Sequence, residues 1–203
     1  MRHIYFLIAA FVLSISPIMA DRRGEEILDD MNRSIEGFER YEVSFLIDNG
    51  SNGAVDGRYF VDGDLYKLLI ANQEIYGDGE LRFTVDNGLR EVVKERVDSS
   101  MSMIVANPAR AFSNLKKGFD SKIIEVDEIG NINLTLTPRK ESDMLDNIQL
   151  TVDPKMKLPI SVAYRSGEEV ITVVILEFAE STTTLRPLGD MILPKEYDII
   201  DIR

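Results

Sequence analysis

The stretch from Gly57 to Val85 constrains the fold more than any other part of the chain. It reads GRYFV, DG, DLYKLLI, ANQ, EIYGDGELRFTV. Short runs of alternating apolar side chains are separated by Asp62-Gly63 and Asp78-Gly79, pairs that tolerate the positive φ of tight hairpin turns. The pattern predicts an antiparallel meander of three or four strands. Tyr66, Leu68 and Ile70 share one side of their strand and Lys67 takes the other, while Leu81, Phe83 and Val85 share a side that excludes Arg82 and Thr84. One face of such a sheet is apolar and one is wet, so the functional question is what covers the apolar face: the protein's own helices, or a ligand.

The flanking sequence supplies both helices and more strands. Glu25 to Phe38 places Ile27, Leu28, Met31, Ile35 and Phe38 on one stripe and predicts an amphipathic helix that ends near Gly37. Tyr41, Val43, Phe45 and Ile47 alternate in a first strand that runs into the Asn49–Gly53 turn cluster. After a further hairpin at Asp86-Asn87-Gly88, the apolar stretch around Met101, Met103 and Pro108 predicts a loop and a short helix over 108–116. Strands resume at Ser121–Val126, Ile132–Thr137, Ile148–Val152 and Ile160–Tyr164. VITVVILEF, residues 170–178, is apolar on both faces and is expected to be covered on both. The tail carries Pro187 and Pro194 and is expected to close with a short edge strand. The prediction is one mainly β domain of α+β type, about ten short strands with two helices on one side of a curved antiparallel sheet.

The first twenty residues read as an exported leader. Met1-Arg2-His3 is basic, Ile4 to Ile15 is apolar, and the segment ends on the small Ala20, which predicts cleavage there and a single domain over 21–203. Loss of that leader, with its one arginine and no carboxylate, takes 203 residues at net charge −12 to 183 at −13. A surface of that sign argues against nucleic acid as a partner. The sequence has no cysteine and no tryptophan, and its one histidine, His3, lies in the leader. Thiol and imidazole chemistry and the usual Cys or His metal sites are thereby removed, and no cofactor is expected. Carboxylate hydrolysis remains open in principle, but no spacing singles out a pair. Asp62-x-Asp64 and Asp78-x-Glu80 sit in turns where Asp-Gly serves the backbone, so no metal site is read from them.

The order of signals resembles the LolA-type periplasmic lipoprotein carriers. The pieces are ILDDMNRSIEGF and the strand after it, GRYFV followed by LYKLLI, EIYGDGELRFTV, the proline-led NPARAF, LTLTPR, and the terminal Asp201-Ile202-Arg203. The resemblance implies an incomplete, strongly curved antiparallel β-barrel in which the N-terminal helix and the short second helix form a lid. It implies a periplasmic, non-enzymatic, monomeric carrier whose apolar cavity shields acyl chains of lipoproteins, or another lipid, on the way to the outer membrane. An inner-membrane release complex and an outer-membrane acceptor are the partners it implies. The family's Arg-Pro lid latch does not transfer, because Val61-Asp62-Gly63-Asp64-Leu65 occupies its place.

On that reading Tyr59, Tyr66, Leu68, Ile70 and Phe83 are candidate cavity walls, Met31, Met101 and Met103 are candidate adaptable contacts, and Ile35 and Phe112 are further candidate cavity residues. A residue on such a face is more often ordinary core than cavity wall, because alternation shows the face and not what lies against it. A sensor or protein-interaction module on the same fold is the alternative function.

Overall fold

The computed structural model describes residues 17–48, 53–97, 111–140 and 145–203, with side chains from Arg23 onward except those of Ala111, Ser113 and Asn114. Helix α1 spans Pro17–Glu36 and leads into strands β1 Arg40–Asp48, β2 Ala54–Asp62, β3 Leu65–Ile70, β4 Gln73–Gly77, β5 Leu81–Asp86 and β6 Glu91–Arg96. Helix α2, Ala111–Gly118, then feeds β7 Phe119–Val126, β8 Ile132–Pro138, β9 Asn147–Asp153, β10 Leu158–Ser166 and β11 Glu169–Glu180, and the chain ends in β12 Asp198–Asp201. All twelve strands form one sheet in the order β12-β6-β5-β4-β3-β2-β1-β11-β10-β9-β8-β7. Its ends do not pair with each other, so the barrel is open. Every pairing is antiparallel except β12 beside β6.

Register decides which residues share the inner face. Cross-strand partners lie on the same side of a sheet, so the pairings Tyr41–Val61–Tyr66–Gly77 make one row and Phe178–Val43–Tyr59–Leu68–Ile75 the next. A third row runs Ile175–Phe45–Gly57–Ile70. Two glycines in these rows face aromatic rings. A Cβ on Gly77 would stand 2.2 Å from the Tyr66 ring, and one on Gly57 would stand 2.3 Å from the Phe45 ring. Each ring lies over the bare backbone of its direct partner, which lets a large side chain pack flat in a bending sheet.

Helix α1 closes one half of this face. Leu28 and Met31 are fully buried and Ile35 nearly so, in one core with Leu134, Leu136, Ile148, Leu150 and Val152. The main contacts of α1 are with β7, β10 and α2. Its wet flank is tied down by ion pairs: Asp29 to Lys116 of α2 at 2.6 Å, Asp30 to Lys157 at 2.8 Å, and Glu25 to Arg139 at 3.5 Å. All are half exposed, where such pairs contribute about 0.2–1 kcal/mol each. Lys116→Ala should therefore shift a denaturation free energy by less than about 1 kcal/mol, whereas Met31→Ala should cost about 2–5 kcal/mol. Paired chemical-denaturation curves check the contrast.

Carboxylates cap the hairpins. Asp78, Asp86, Asp127 and Asp153 each accept two backbone N–H groups from the turn that follows, at 2.7–3.0 Å. Hydrogen bonds from Gln73 and the Leu89 amide hold Asp86 below the usual carboxylate range, and the Met156 and Lys155 amides do the same for Asp153. Lys157, then Arg33, lowers Asp30. A carboxylate depressed in the folded state contributes stability that is present above its unfolded pKa, here near 3.8, and lost as pH falls through the folded value. The denaturation midpoint should stay level from about pH 8 to 5 and fall below about pH 4. A titration of urea midpoints against pH reads this directly.

Two expectations are corrected. Residues 170–178 lie within β11, in mid-sheet between β1 and β10, but its outer face is bare among the described residues: Leu176 is 58% exposed and Val174 37%. Leu176 is the extra residue of a bulge between the Ser44–Glu177 and Phe45–Ile175 pairs. The helix predicted over 25–38 begins earlier, at Pro17, a residue pre-set for a first helical turn, and ends at Glu36. The edge strand expected at the C-terminus is β12.

Candidate functional site

The inner face is not filled uniformly. Under α1 it is a solid core. Towards β3 and β4, beyond the strands α1 mainly contacts, Leu68, Ile70 and Ile75 are only partly buried. At the junction of the two regions a cavity of about 170 Å³ opens between the end of α1, the start of β1, the end of β2 and α2. Ile35, Phe38, Tyr41, Val61 and Phe112 give it apolar walls, and Asn32, Glu36 and Glu39 are the polar side chains around it. Phe38, Tyr41 and Phe178 form an aromatic cluster at this end, with Tyr41 stacked on Phe178 at 4.9 Å between ring centroids.

The candidate wall residues distribute as follows. Ile35 and Phe112 line the cavity. Met31 lies in the solid core beside it. Tyr59 and Tyr66 stand next to each other, ring centroids 6.2 Å apart, and Leu68 and Ile70 continue from them along the inner rows. Met101 and Met103 lie outside the described residues. Phe83 is placed on the other side of the sheet: it pairs with Tyr76, which pairs with Lys67, the outward neighbour of Tyr66 and Leu68. Phe83 is nevertheless buried, as are Val85 and Val92 of the same outer face, and none of the three belongs to the main core. An outward set this well buried needs a cover. The C-terminal segment runs from β11 past Arg40 and Asp62, where Thr184 and the Leu185 amide are hydrogen-bonded, to the β6 edge. Its Leu188 is a further buried apolar side chain outside the main core among the described residues. Tyr197 fixes its far end by donating to Asn87 at 3.0 Å.

Sequence reasoning missed three residues of the site: Tyr41 and Val61 as cavity lining, and Ile75 as the continuation of the inner middle row. It also missed the tyrosine hydroxyls. Those of Tyr41 and Tyr59 are buried without a hydrogen-bond partner, as is the side-chain oxygen of Asn32. A buried, unpaired polar group of this kind costs about 1–3 kcal/mol. Burial pushes both phenols well above their ordinary range, and Tyr66 up to about 12. All three are neutral donors at physiological pH. Among the described residues no group of three or more Asp, Glu, His or Cys side chains is arranged to hold a metal ion. Nor is any helix among them long and apolar enough to cross a membrane.

No protein-family model and no curated protein sequence matches the chain. Solved structures do match it in fold. An uncharacterized conserved protein from Thermus thermophilus superposes with a TM-score of 0.60 at 10% identity, covering 88% of this chain and 99% of its own. A DUF1329 family protein from Desulfovibrio piger gives 0.51 at 9% identity, covering 82% and 95%. A domain assigned to outer membrane lipoprotein sorting, from Vibrio parahaemolyticus, gives 0.50 at 11% identity, covering 81% and 95%. The chain shares the fold of these three proteins.

Proposed function

We propose that this protein is an exported, non-catalytic carrier that shields the acyl chains of lipoproteins, or of another lipid, during transfer towards the outer membrane. The observation that carries the reading is the partly exposed apolar band of Leu68, Ile70 and Ile75 on the inner face, whose middle row lies next to the row that gives the cavity its Tyr41 and Val61 walls. Acyl burial contributes about 0.8 kcal/mol per methylene. A few methylenes laid on this band would outweigh the half-exposed ion pairs that fix α1 to its surroundings. The fold shared with a lipoprotein-sorting domain supports the same reading.

Two measurements test it. Protein purified gently from the envelope should carry lipid or acylated peptide detectable by mass spectrometry. It should also bind a neutral, polarity-sensitive dye that long-chain lipids displace. Nothing bound and no dye uptake would sink the carrier reading. The same preparation should have an intact mass that begins at Asp21; a mass retaining Met1 would show that the leader is not removed. The second reading, an interaction module, is favoured by the exposed Val174 and Leu176 on the outer face.

A further inference from the structure

Building on the carrier reading, we propose that a split in the sheet between β10 and β11 seats the polypeptide of an acylated cargo, a short extended segment next to its acyl group that pairs with β11 as an added strand. β10 begins at Leu158 and β11 runs on to Glu180, but their ladder ends at the pair Ser161–Val174. Beyond that pair β11 is joined to β1 alone among the described residues. The sequence accounts for the parting. Ile160 and Leu176, close to the last pair, are the extra residues of bulges in the two strands, and Pro159 beside the first has no N–H to donate. A cleft of about 230 Å³, larger than the cavity at the end of α1, opens there. Met156, Leu158 and Pro159 form one wall and Ile175, Leu176 and Phe178 the other.

The cleft offers backbone as well as apolar surface. The Ser181 amide donates to the Arg40 carbonyl at 2.9 Å, so by the alternation of an antiparallel ladder Ala179 also turns to β1, while the N–H and C=O groups of Phe178 and Glu180 turn to the split. Hydrocarbon laid against those groups would strip their water and return no hydrogen bond. An extended peptide returns hydrogen bonds, which is how strands are added to open sheet edges. Charge narrows the segment further. Asp153 and Glu177 stand among the lining residues, so a lysine or arginine on the bound peptide gains where an aspartate or glutamate is repelled. Position ties the peptide to an acyl group: Phe178, in the cleft wall, stacks at 4.9 Å on Tyr41, which lines the cavity at the end of α1. Met156 and Leu176, 63% and 58% exposed, leave the outer mouth open to a chain arriving from solvent.

The test is a calorimetric titration series at pH 7.5 with three probes: octanamide, an octanoylated hexapeptide of alternating valine and lysine, and the same hexapeptide acetylated instead. The octanoylated peptide should bind about tenfold more tightly than octanamide, the yield of one or two added backbone hydrogen bonds. It should also bind more tightly than the acetylated peptide. N-methylation of one alternate set of its peptide nitrogens should abolish the gain and methylation of the other set should spare it, because only one edge of an added strand faces β11. Glu177→Lys, at an exposed position, should move the preference from the lysine peptide towards its glutamate counterpart by about two- to fivefold. Octanamide binding as tightly as the octanoylated peptide, or no response to either N-methylation or Glu177→Lys, overturns the proposal and leaves the carrier reading standing. The acetylated peptide binding as tightly as the octanoylated one would put a separate partner protein in the split, and a dimer that excludes the peptides would put a second copy there; either result overturns the proposal. Binding of none of the probes removes the carrier reading as well.

Discussion

Replacing Gly77 with valine is expected to lower stability by about 2 kcal/mol, although valine is the better strand former. The opposing effects are unequal. Glycine in a strand interior weakens it by roughly 0.5–1 kcal/mol, which valine would recover. The new Cβ, however, would stand 2.2 Å from the ring of Tyr66, itself 2% exposed. The ring has nowhere to go without disturbing Tyr59 at 6.2 Å, and overpacking of this kind costs about 1–3 kcal/mol, occasionally more. A double-mutant cycle identifies the cause. Tyr66→Ala alone should cost about 3–5 kcal/mol, and adding Gly77→Val to it should cost nothing further, because the clash has been removed. Urea denaturation of the four proteins decides the matter. Additive losses would mean that the ring and the glycine are not coupled.

A carboxylate placed on the inner band should have an equally large effect on binding and a small one on folding. Ile75→Asp is the informative change because Ile75 is partly exposed, sits beyond the strands that α1 mainly contacts, and pairs with Thr84 on its far side. Hydrocarbon lying on the band would then meet a charge in place of apolar surface. Losing the burial of even two or three methylenes is worth about 2 kcal/mol, which is more than tenfold in affinity. Dye binding and lipid displacement should fall by at least about that factor while the far-ultraviolet circular dichroism spectrum is kept. Unchanged dye affinity in a folded Ile75→Asp protein would show that hydrocarbon does not lie on this face.

Much of this architecture can be read from residue order. Alternation defines the strands and, within each, the sharing of faces: Tyr41, Val43 and Phe45, or Leu134 and Leu136, are all buried where the period of two puts them. The stripe Leu28, Met31 and Ile35 likewise marks the buried face of α1. Alternation does not say which face of one strand continues which face of the next. That parity depends on the length of the turn, and it is why Phe83 pairs outward with Tyr76 although its strand pattern matches that of Leu68. The two-faced apolar pattern of β11 misleads for another reason, since it records hydrophobicity and not what lies against it. The glycines that face aromatic rings leave a readable signal, a lone Gly57 and a lone Gly77 inside otherwise good strand sequence, which marks a close approach. The unpaired phenols leave none, because a tyrosine on an apolar face looks the same whether or not its hydroxyl is satisfied.

The strand order also fixes when the molecule can finish folding. β1 needs β11 as its neighbour, and the outermost position beside β6 is filled by residues 198–201. Until residues 169–180 and 198–201 have been made, one side of β1 and one side of β6 have nothing to pair with, so the two halves of the sheet stay unjoined. Sheets joined across such long separations assemble in milliseconds to seconds. On the exported reading proposed above, a polypeptide threaded outward through a narrow channel would gain from that delay, since its two halves become one sheet only once β11 has crossed.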